Sequence, residues 1–139
     1  MINEELLENI ENAYGTSQEK GYSQEYINNL NNVRNTYSFT ETVVGKWIDK
    51  PLYRKVVSVT LTNGFASSTL FAQNVGHAHV LCSWIEIDDK RLQLPVSNVA
   101  DAWQVRPFIN NNFVQIQNNN ADYVGKNAYV VVEYTKTTD

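Results

Sequence analysis

The sequence is informative first through what it lacks. Its 139 residues include one cysteine, Cys82, so no disulfide can form within a single chain. No apolar run approaches the roughly 18 residues that a membrane-spanning helix needs. The acidic start does not have the character of a secretory signal. We therefore expect a protein that is neither cross-linked internally nor inserted in a membrane.

Basic residues are too few, and too evenly mixed with acids, to form a nucleic-acid-binding face. Residues 1–36 contain six acids and two bases, whereas residues 37–139 contain nine of each. The net charge of −4 therefore lies entirely in the first part of the chain. Because phosphate binding needs a concentrated positive surface, we expect no nucleic-acid ligand.

Motifs that mark catalysis are also missing. The chain has no glycine-rich phosphate loop, no GxSxG elbow and no CxxC pair. Asp88 and Asp89 adjoin two basic residues, as in a solvated turn. Glu86 and Glu133 are expected on the wet faces of strands, and Cys82 lies in an apolar pattern typical of a small core residue. We expect no enzymatic activity and no cofactor.

His77 and His79 form the one local arrangement that could bind a metal ion. On a β-strand, residues two apart face the same side, so both imidazoles could reach one ion. A protein metal site needs a third ligand, commonly Cys, Asp or Glu, and Cys82 has the wrong parity relative to His79. We therefore predict no metal site, with these two histidines as the candidates if one exists.

The first 36 residues have helical periodicity. Apolar residues from Ile2 to Tyr14 recur every three or four positions, with four glutamates on the opposite face. A second helix is predicted to start at Ser23, a favourable N-cap residue. Each helix spans only about three turns, which is too short to be stable alone in water. We therefore predict that residues 1–36 form a helical leader for attachment or oligomerisation.

From Tyr37 onward the apolar pattern changes to a period of two. Five stretches alternate in this way and are rich in β-branched and aromatic residues: 56–61, 80–87, 103–109, 113–117 and 129–134. Turn signals separate them, including Asn63-Gly64 as a hairpin turn and Asp88-Asp89-Lys90. We predict a mainly β protein in which residues 37–139 form an antiparallel, jelly-roll-like β-sandwich.

Eight tyrosines and three tryptophans are many for so short a chain. Aromatic side chains that carry a polar atom suit sugar-binding surfaces and subunit interfaces. The candidates for stacking platforms are Trp84, Trp103, Tyr123 and Tyr129. The pattern does not rank stacking on a ligand against packing at a subunit contact for any of these rings.

Two long segments resemble a module of tailed-bacteriophage structural proteins. Residues 37–55 read YSFTETVVGKWIDKPLYRK, similar to the YST-E…VVGKWIDGKPLYRK found at the C-terminal end of tail fibre, baseplate and head fibre proteins. Residues 129–139, YVVVEYTKTTD, resemble that module's closing YVTLEYTKTTD, and residues 75–80 are similar to its VAHGI segment in altered order. This chain lacks the glycine between Asp49 and Lys50, so we expect a tighter turn there.

The resemblance covers residues 37–139 and implies a virion structural protein, made in the host cytoplasm. It would be a short tail or head fibre or spike component, assembled as a homotrimer. Residues 1–36 would contact other virion proteins, while the β domain would bind a host glycan or surface protein, or act as a passive joining piece. The alternative is a free carbohydrate-binding or adhesin module unconnected with a virion, for which an export signal is expected and none is found.

Overall fold

The computed structural model describes residues 23–28 and 36–139, and this part of the chain contains nine β-strands. They are β1 (Thr42–Trp47), β2 (Lys50–Thr60), β3 (Gly64–Ser67), β4 (Val75–Ile87), β5 (Lys90–Gln93), β6 (Val96–Asn98), β7 (Trp103–Asn110), β8 (Phe113–Asn118) and β9 (Asn127–Lys136). The strands form two antiparallel sheets around one core. The predicted mainly β fold, an antiparallel sandwich, is therefore confirmed.

The leader is described only in part. Residues 24–28 are helical, and the Tyr26 amide donates a hydrogen bond to Ser23 Oγ at 3.1 Å. Ser23 is therefore the N-cap of this turn, as predicted. The predicted first helix and the rest of the second lie outside the described residues. In the described part of the chain, no helix has both the length and the apolar character that a membrane span requires.

The strand order is β1-β2-β9-β4-β5 in one sheet and β3-β8-β7-β6 in the other. β2 pairs with β9, and β3 pairs with β8, so the two pairs are nested in the jelly-roll manner. The prediction of a hairpin at Asn63-Gly64 is wrong. β2 and β3 belong to different sheets, and Asn63-Gly64 carries the chain from one sheet to the other.

The core lies between the sheets and is built from the inward-facing residues of both. Its fully buried members are Ile85, Val105, Val114, Ile116, Ala128, Val130, Val132 and Tyr134. β9 lies at the centre of the five-stranded sheet and is buried on both faces, since outward-facing Val131 is also fully covered. Each such aliphatic side chain contributes roughly 1.5–3 kcal/mol through burial, so β9 is a main source of stability.

A β-bulge interrupts the alternation along β4 and changes the face on which Cys82 lies. Val80 is opposite Val132, but Cys82 is opposite Val131, so Leu81 is the extra residue. Cys82 consequently lies on the outer face of the sheet and is only partly buried. Its predicted core position is therefore wrong. The partial burial nonetheless raises the pKa of its thiol.

The β1–β2 hairpin closes through a two-residue turn, Ile48-Asp49. Both residues have positive φ, 46° and 66°, as a type I′ hairpin turn requires. This is the tighter turn expected from the missing glycine. Isoleucine is strained in this region because its branched Cβ crowds the backbone. Since Ile48 is 80% exposed, packing does little to offset that strain.

Replacing Ile48 by asparagine should stabilise the protein. Asparagine tolerates the left-handed region far better, so we expect the free energy of unfolding to rise by about 1 kcal/mol. Urea unfolding of Ile48→Asn beside the unmodified chain measures the change. Ile48→Val keeps the branched Cβ and should leave stability unaltered. An equal gain from valine would contradict the backbone explanation.

Candidate functional site

A row of polar side chains crosses the outer face of the five-stranded sheet. The strand registers place Arg54 of β2 opposite Glu133 of β9, and Glu133 opposite His79 of β4. Arg54 Nη2 and Nε lie 2.8 and 2.9 Å from Glu133 Oε2. His79 Nε2 lies 3.0 Å from the other carboxylate oxygen, Oε1. One carboxylate therefore links three adjacent strands.

Two further rings extend this row. His77 Nε2 lies 2.9 Å from His79 Nδ1, so the N–H of one imidazole donates a hydrogen bond to the other ring. The indole of Trp47 stacks on His77, with ring centroids 4.2 Å apart and planes inclined by 5°. We refer to Trp47, Arg54, His77, His79 and Glu133 together as the Glu133 cluster.

Burial makes the Arg54–Glu133 pair energetically important. The side chain of Glu133 is 8% exposed and that of Arg54 is 12% exposed. Ions removed from water in this way are tolerated only when they are well paired and hydrogen bonded. Arg54 also donates to the Thr36 carbonyl at 3.4 Å and lies over the ring of Tyr37. The guanidinium therefore fastens the segment that precedes β1 as well as β9.

His77 and His79 do face the same side of β4, as the spacing predicted. However, their facing nitrogens contact each other, and the second His79 nitrogen contacts Glu133. Within residues 23–28 and 36–139, no group of three or more His, Cys, Asp and Glu side chains is placed to hold a metal ion. The hydrogen bonds and the ion pair of the Glu133 cluster tie β2, β9 and β4 together.

A second polar group joins the chain before β1 to the end of β9. The Tyr134 hydroxyl donates to Glu41 Oε1 at 2.5 Å, and Lys136 Nζ lies 2.7 Å from Oε2. Burial opposes ionisation of Glu41, but the hydrogen bonds from Lys136 and Tyr134 outweigh it and lower the carboxyl pKa below its ordinary 4.5. Nearby, the Tyr53 hydroxyl donates to Asp139, which raises the pKa of Tyr53 to about 12.

The four rings predicted as stacking platforms form two separate pairs. Trp84 and Tyr129 are cross-strand neighbours on the five-stranded sheet, with centroids 5.8 Å apart and planes inclined by 29°. Phe39 contacts Tyr129, and Trp84 Nε1 donates to Glu86 Oε2 at 3.3 Å. Because each ring already has neighbours in the sheet, this pair is held by packing within the chain.

Trp103 and Tyr123 form the second pair, in a T-shaped contact with centroids 5.6 Å apart. Trp103 lies at the start of β7, and Tyr123 ends the 3-10 helix Ala121–Tyr123. Both rings pack partly buried against the core. Trp103 also lines an open depression of about 410 Å³ together with Gln104 and Asn119. The structure thus does not bring the four predicted rings together in one platform.

Glu133 was predicted on a wet strand face, and that prediction is wrong because the residue is only 6% exposed. A signal was available in the sequence. Glu133 is the one charge in the run from Tyr129 to Tyr134, and a charge within such an apolar strand needs a buried partner. The sequence alone did not identify that partner, because Arg54 and Glu133 are 79 residues apart.

Comparison with known proteins gives no match: no family model, curated protein or solved structure is detectably similar to this chain. Residues 37–55 and 129–139, the two segments from which the expectation of a phage module comes, can still be interpreted from their own contacts. The first forms β1 and the first part of β2, and the second forms most of β9. They meet through Arg54–Glu133 and Tyr53–Asp139, so the two segments build one three-stranded unit, β1-β2-β9.

Substituting Glu133 by alanine should destabilise the fold severely. The change leaves Arg54 buried without its carboxylate and removes the contact to His79, which should cost about 3–5 kcal/mol. Glu86→Ala is the matched control, since Glu86 pairs with Arg91 at 38% and 69% exposure. An exposed pair contributes less than about 1 kcal/mol. Equal losses in urea unfolding would refute the structural role of the Glu133 cluster.

The Glu41 contacts predict a stability that depends on pH. The folded pKa of Glu41 lies below the unfolded value, so its contribution is complete above about pH 4.5 and is lost as the pH falls through the folded pKa. Glu41→Gln should therefore lower the unfolding free energy at pH 7 and have progressively less effect towards pH 3. Urea unfolding at several pH values measures this. A deficit that is the same at every pH would contradict an ionised Glu41.

Proposed function

We propose that this chain is a structural component of a tailed-bacteriophage virion, a short tail or head fibre or spike. In this proposal residues 37–139 are the display domain, and residues 1–36 join the chain to its copies and to other virion proteins. The supporting observation is that the two segments resembling the phage module pack against each other. Residues 37–55 and 129–139 are distant in sequence, so their packing against each other supports a common structural role in holding the fold.

The contacts also suggest why such a module would recur in proteins with different targets. The segments resembling the phage module supply ion pairs and hydrogen bonds that hold β1, β2 and β9, and none of their contacts among the described residues forms a catalytic arrangement. A scaffold held in this way can keep its fold while other strands change. The four-stranded sheet contains only residues outside the two end segments. It is therefore the part of the display domain best able to differ between relatives.

A display function favours a trimer because attachment to a cell surface benefits from several simultaneous contacts. Three weak sites on one rigid particle can exceed the affinity of a single site by about 10²–10⁴-fold without any new contact. The acidic leader is the candidate trimerisation element, since the short helices that its sequence predicts would need a partner to bury their apolar faces.

Light scattering coupled to gel filtration tests the assembly. We expect a particle of three times the 15.9 kDa chain mass. Deleting residues 1–36 leaves both sheets complete and should give a folded monomer with cooperative thermal unfolding. A trimer that survives the deletion would assign the assembly to the β domains. A full-length chain that is monomeric at all concentrations would argue against a fibre and favour the free adhesin module.

Antibodies against the purified chain test the virion location directly. Electron microscopy of phage particles from cells carrying the gene should show labelling at the tail, baseplate or head. Antibodies absorbed with the purified chain provide the control. Particles that contain no detectable chain by labelling and by mass spectrometry would overturn the proposal.

A further inference from the structure

The outer face of the four-stranded sheet carries aromatic and amide side chains and almost no charge. Arg106 is the one charged residue in the four strands of this sheet. The registers place Phe65, Gln117 and Arg106 in one row across β3, β8 and β7, and Ser67, Gln115 and Phe108 in the next. Charged side chains are mostly exposed to solvent in folded proteins, so an outer sheet face with a single charge and exposed aromatic rings requires an explanation.

The aromatic rings of this face meet above the central strand. Phe65 on β3 and Phe108 on β7 are separated by β8, yet their ring centroids are 5.8 Å apart in an edge-to-face contact. The Arg106 guanidinium lies 5.3 Å from the centroid of Phe108. Phe65 remains 59% exposed, and Phe113 at the start of β8 is 40% exposed. Apolar ring surface is therefore presented to solvent beside polar groups.

Neighbouring side chains hold the amides of this face in place. Arg106 Nε donates to Gln117 Oε1 at 2.9 Å, and Gln115 Nε2 donates to Ser67 Oγ at 2.7 Å. Asn110 Nδ2 donates to Gln115 Oε1 at 3.2 Å. In the described part of the chain, the Gln117 side-chain nitrogen has no hydrogen-bond acceptor, so both of its protons can bind a ligand. Amides ordered in advance lose less entropy when they bind.

From this geometry we propose that the face around Phe65, Phe108, Gln115 and Gln117 binds an uncharged carbohydrate chain. A pyranose ring has an apolar face of C–H groups and a rim of hydroxyls that both donate and accept. Exposed phenyl rings match the first and side-chain amides match the second. The near absence of charge removes any electrostatic reason to prefer a protein or nucleic acid. This inference rests on the proposed display function, for which it names the recognised class of molecule.

The five-stranded sheet is less suited to this task. Its outer face carries the Glu133 cluster, whose polar atoms are already paired through hydrogen bonds and an ion pair. Val56 and Val131 on the same face are buried, so they offer no surface to a ligand. Trp84 and Tyr129 are stacked on one another there. Substitutions on the two outer faces can therefore distinguish which sheet binds carbohydrate.

Binding of the full-length chain to an array of neutral and acidic bacterial surface polysaccharides tests the proposal. Titration calorimetry with the best neutral ligand should then show about tenfold weaker binding for Phe65→Ala, and a smaller loss for Gln117→Ala. Phe65 is 59% exposed and loses one aromatic contact, so its variant should melt within a few degrees of the unmodified chain. Phe39→Ala is the matched control, because Phe39 is 61% exposed beside the other sheet and should not change the affinity.

The inference would be overturned if no neutral polysaccharide binds, whether or not acidic ones do. It would also be overturned if Phe39→Ala weakens binding while Phe65→Ala does not. If Phe65→Ala changes the oligomeric mass and leaves glycan binding intact, the face is a subunit contact. A trimer that labels phage particles but binds no glycan would refute this inference alone and leave the proposed function standing.

Discussion

One buried carboxylate constrains the layout of the larger sheet. The valines of β9 would accept many apolar neighbours, but Glu133 needs a cation on one side and a hydrogen-bond donor on the other. Arg54 and His79 meet that need at the same level of β2 and β4. A slip of either strand by one residue would direct its partner to the opposite face of the sheet and leave a buried charge unpaired. The carboxylate therefore penalises every register of its neighbours except the observed one.

The two sheets divide the polar residues of the domain unequally. The five-stranded sheet contains the buried ion pair, and its central strand β9 supplies both hydrogen bonds to Glu41. The four-stranded sheet has Arg106 as its one charge. The polar interactions that stabilise the fold are therefore concentrated in the five-stranded sheet, where the polar side chains of the outer face pair with each other. Side chains on the other outer face are less constrained by the fold, which is why our proposals assign recognition to that face.

Period-two alternation was sufficient to predict the sandwich, because inward and outward residues of β2, β7, β8 and β9 alternate without interruption. It failed where a local feature overrode it. The bulge at Leu81 reversed the face of Cys82, and Asn63-Gly64 connects two sheets although its sequence suits a hairpin. Both errors concern pairing between strands, which depends on partners distant in the chain.

Side-chain partners were harder to predict than strands. Residue type alone predicts tryptophan and tyrosine as stacking candidates, but Trp103 and Tyr123 pack against the core. Nothing in the sequence indicates that Phe65 and Phe108, which are 43 positions apart, meet above β8. The spacing of His77 and His79 correctly predicted a shared face, since that depends on one strand alone.

Adjacent residues of β2 hold both ends of the β domain: Arg54 binds the Thr36 carbonyl, and Tyr53 binds Asp139. The polypeptide therefore enters and leaves the sandwich near one strand. Domains with neighbouring termini can be inserted into a loop of another protein without being stretched, and they tolerate circular permutation. The same property would allow this β-sandwich to be inserted, with short linkers, into a surface loop of an unrelated protein.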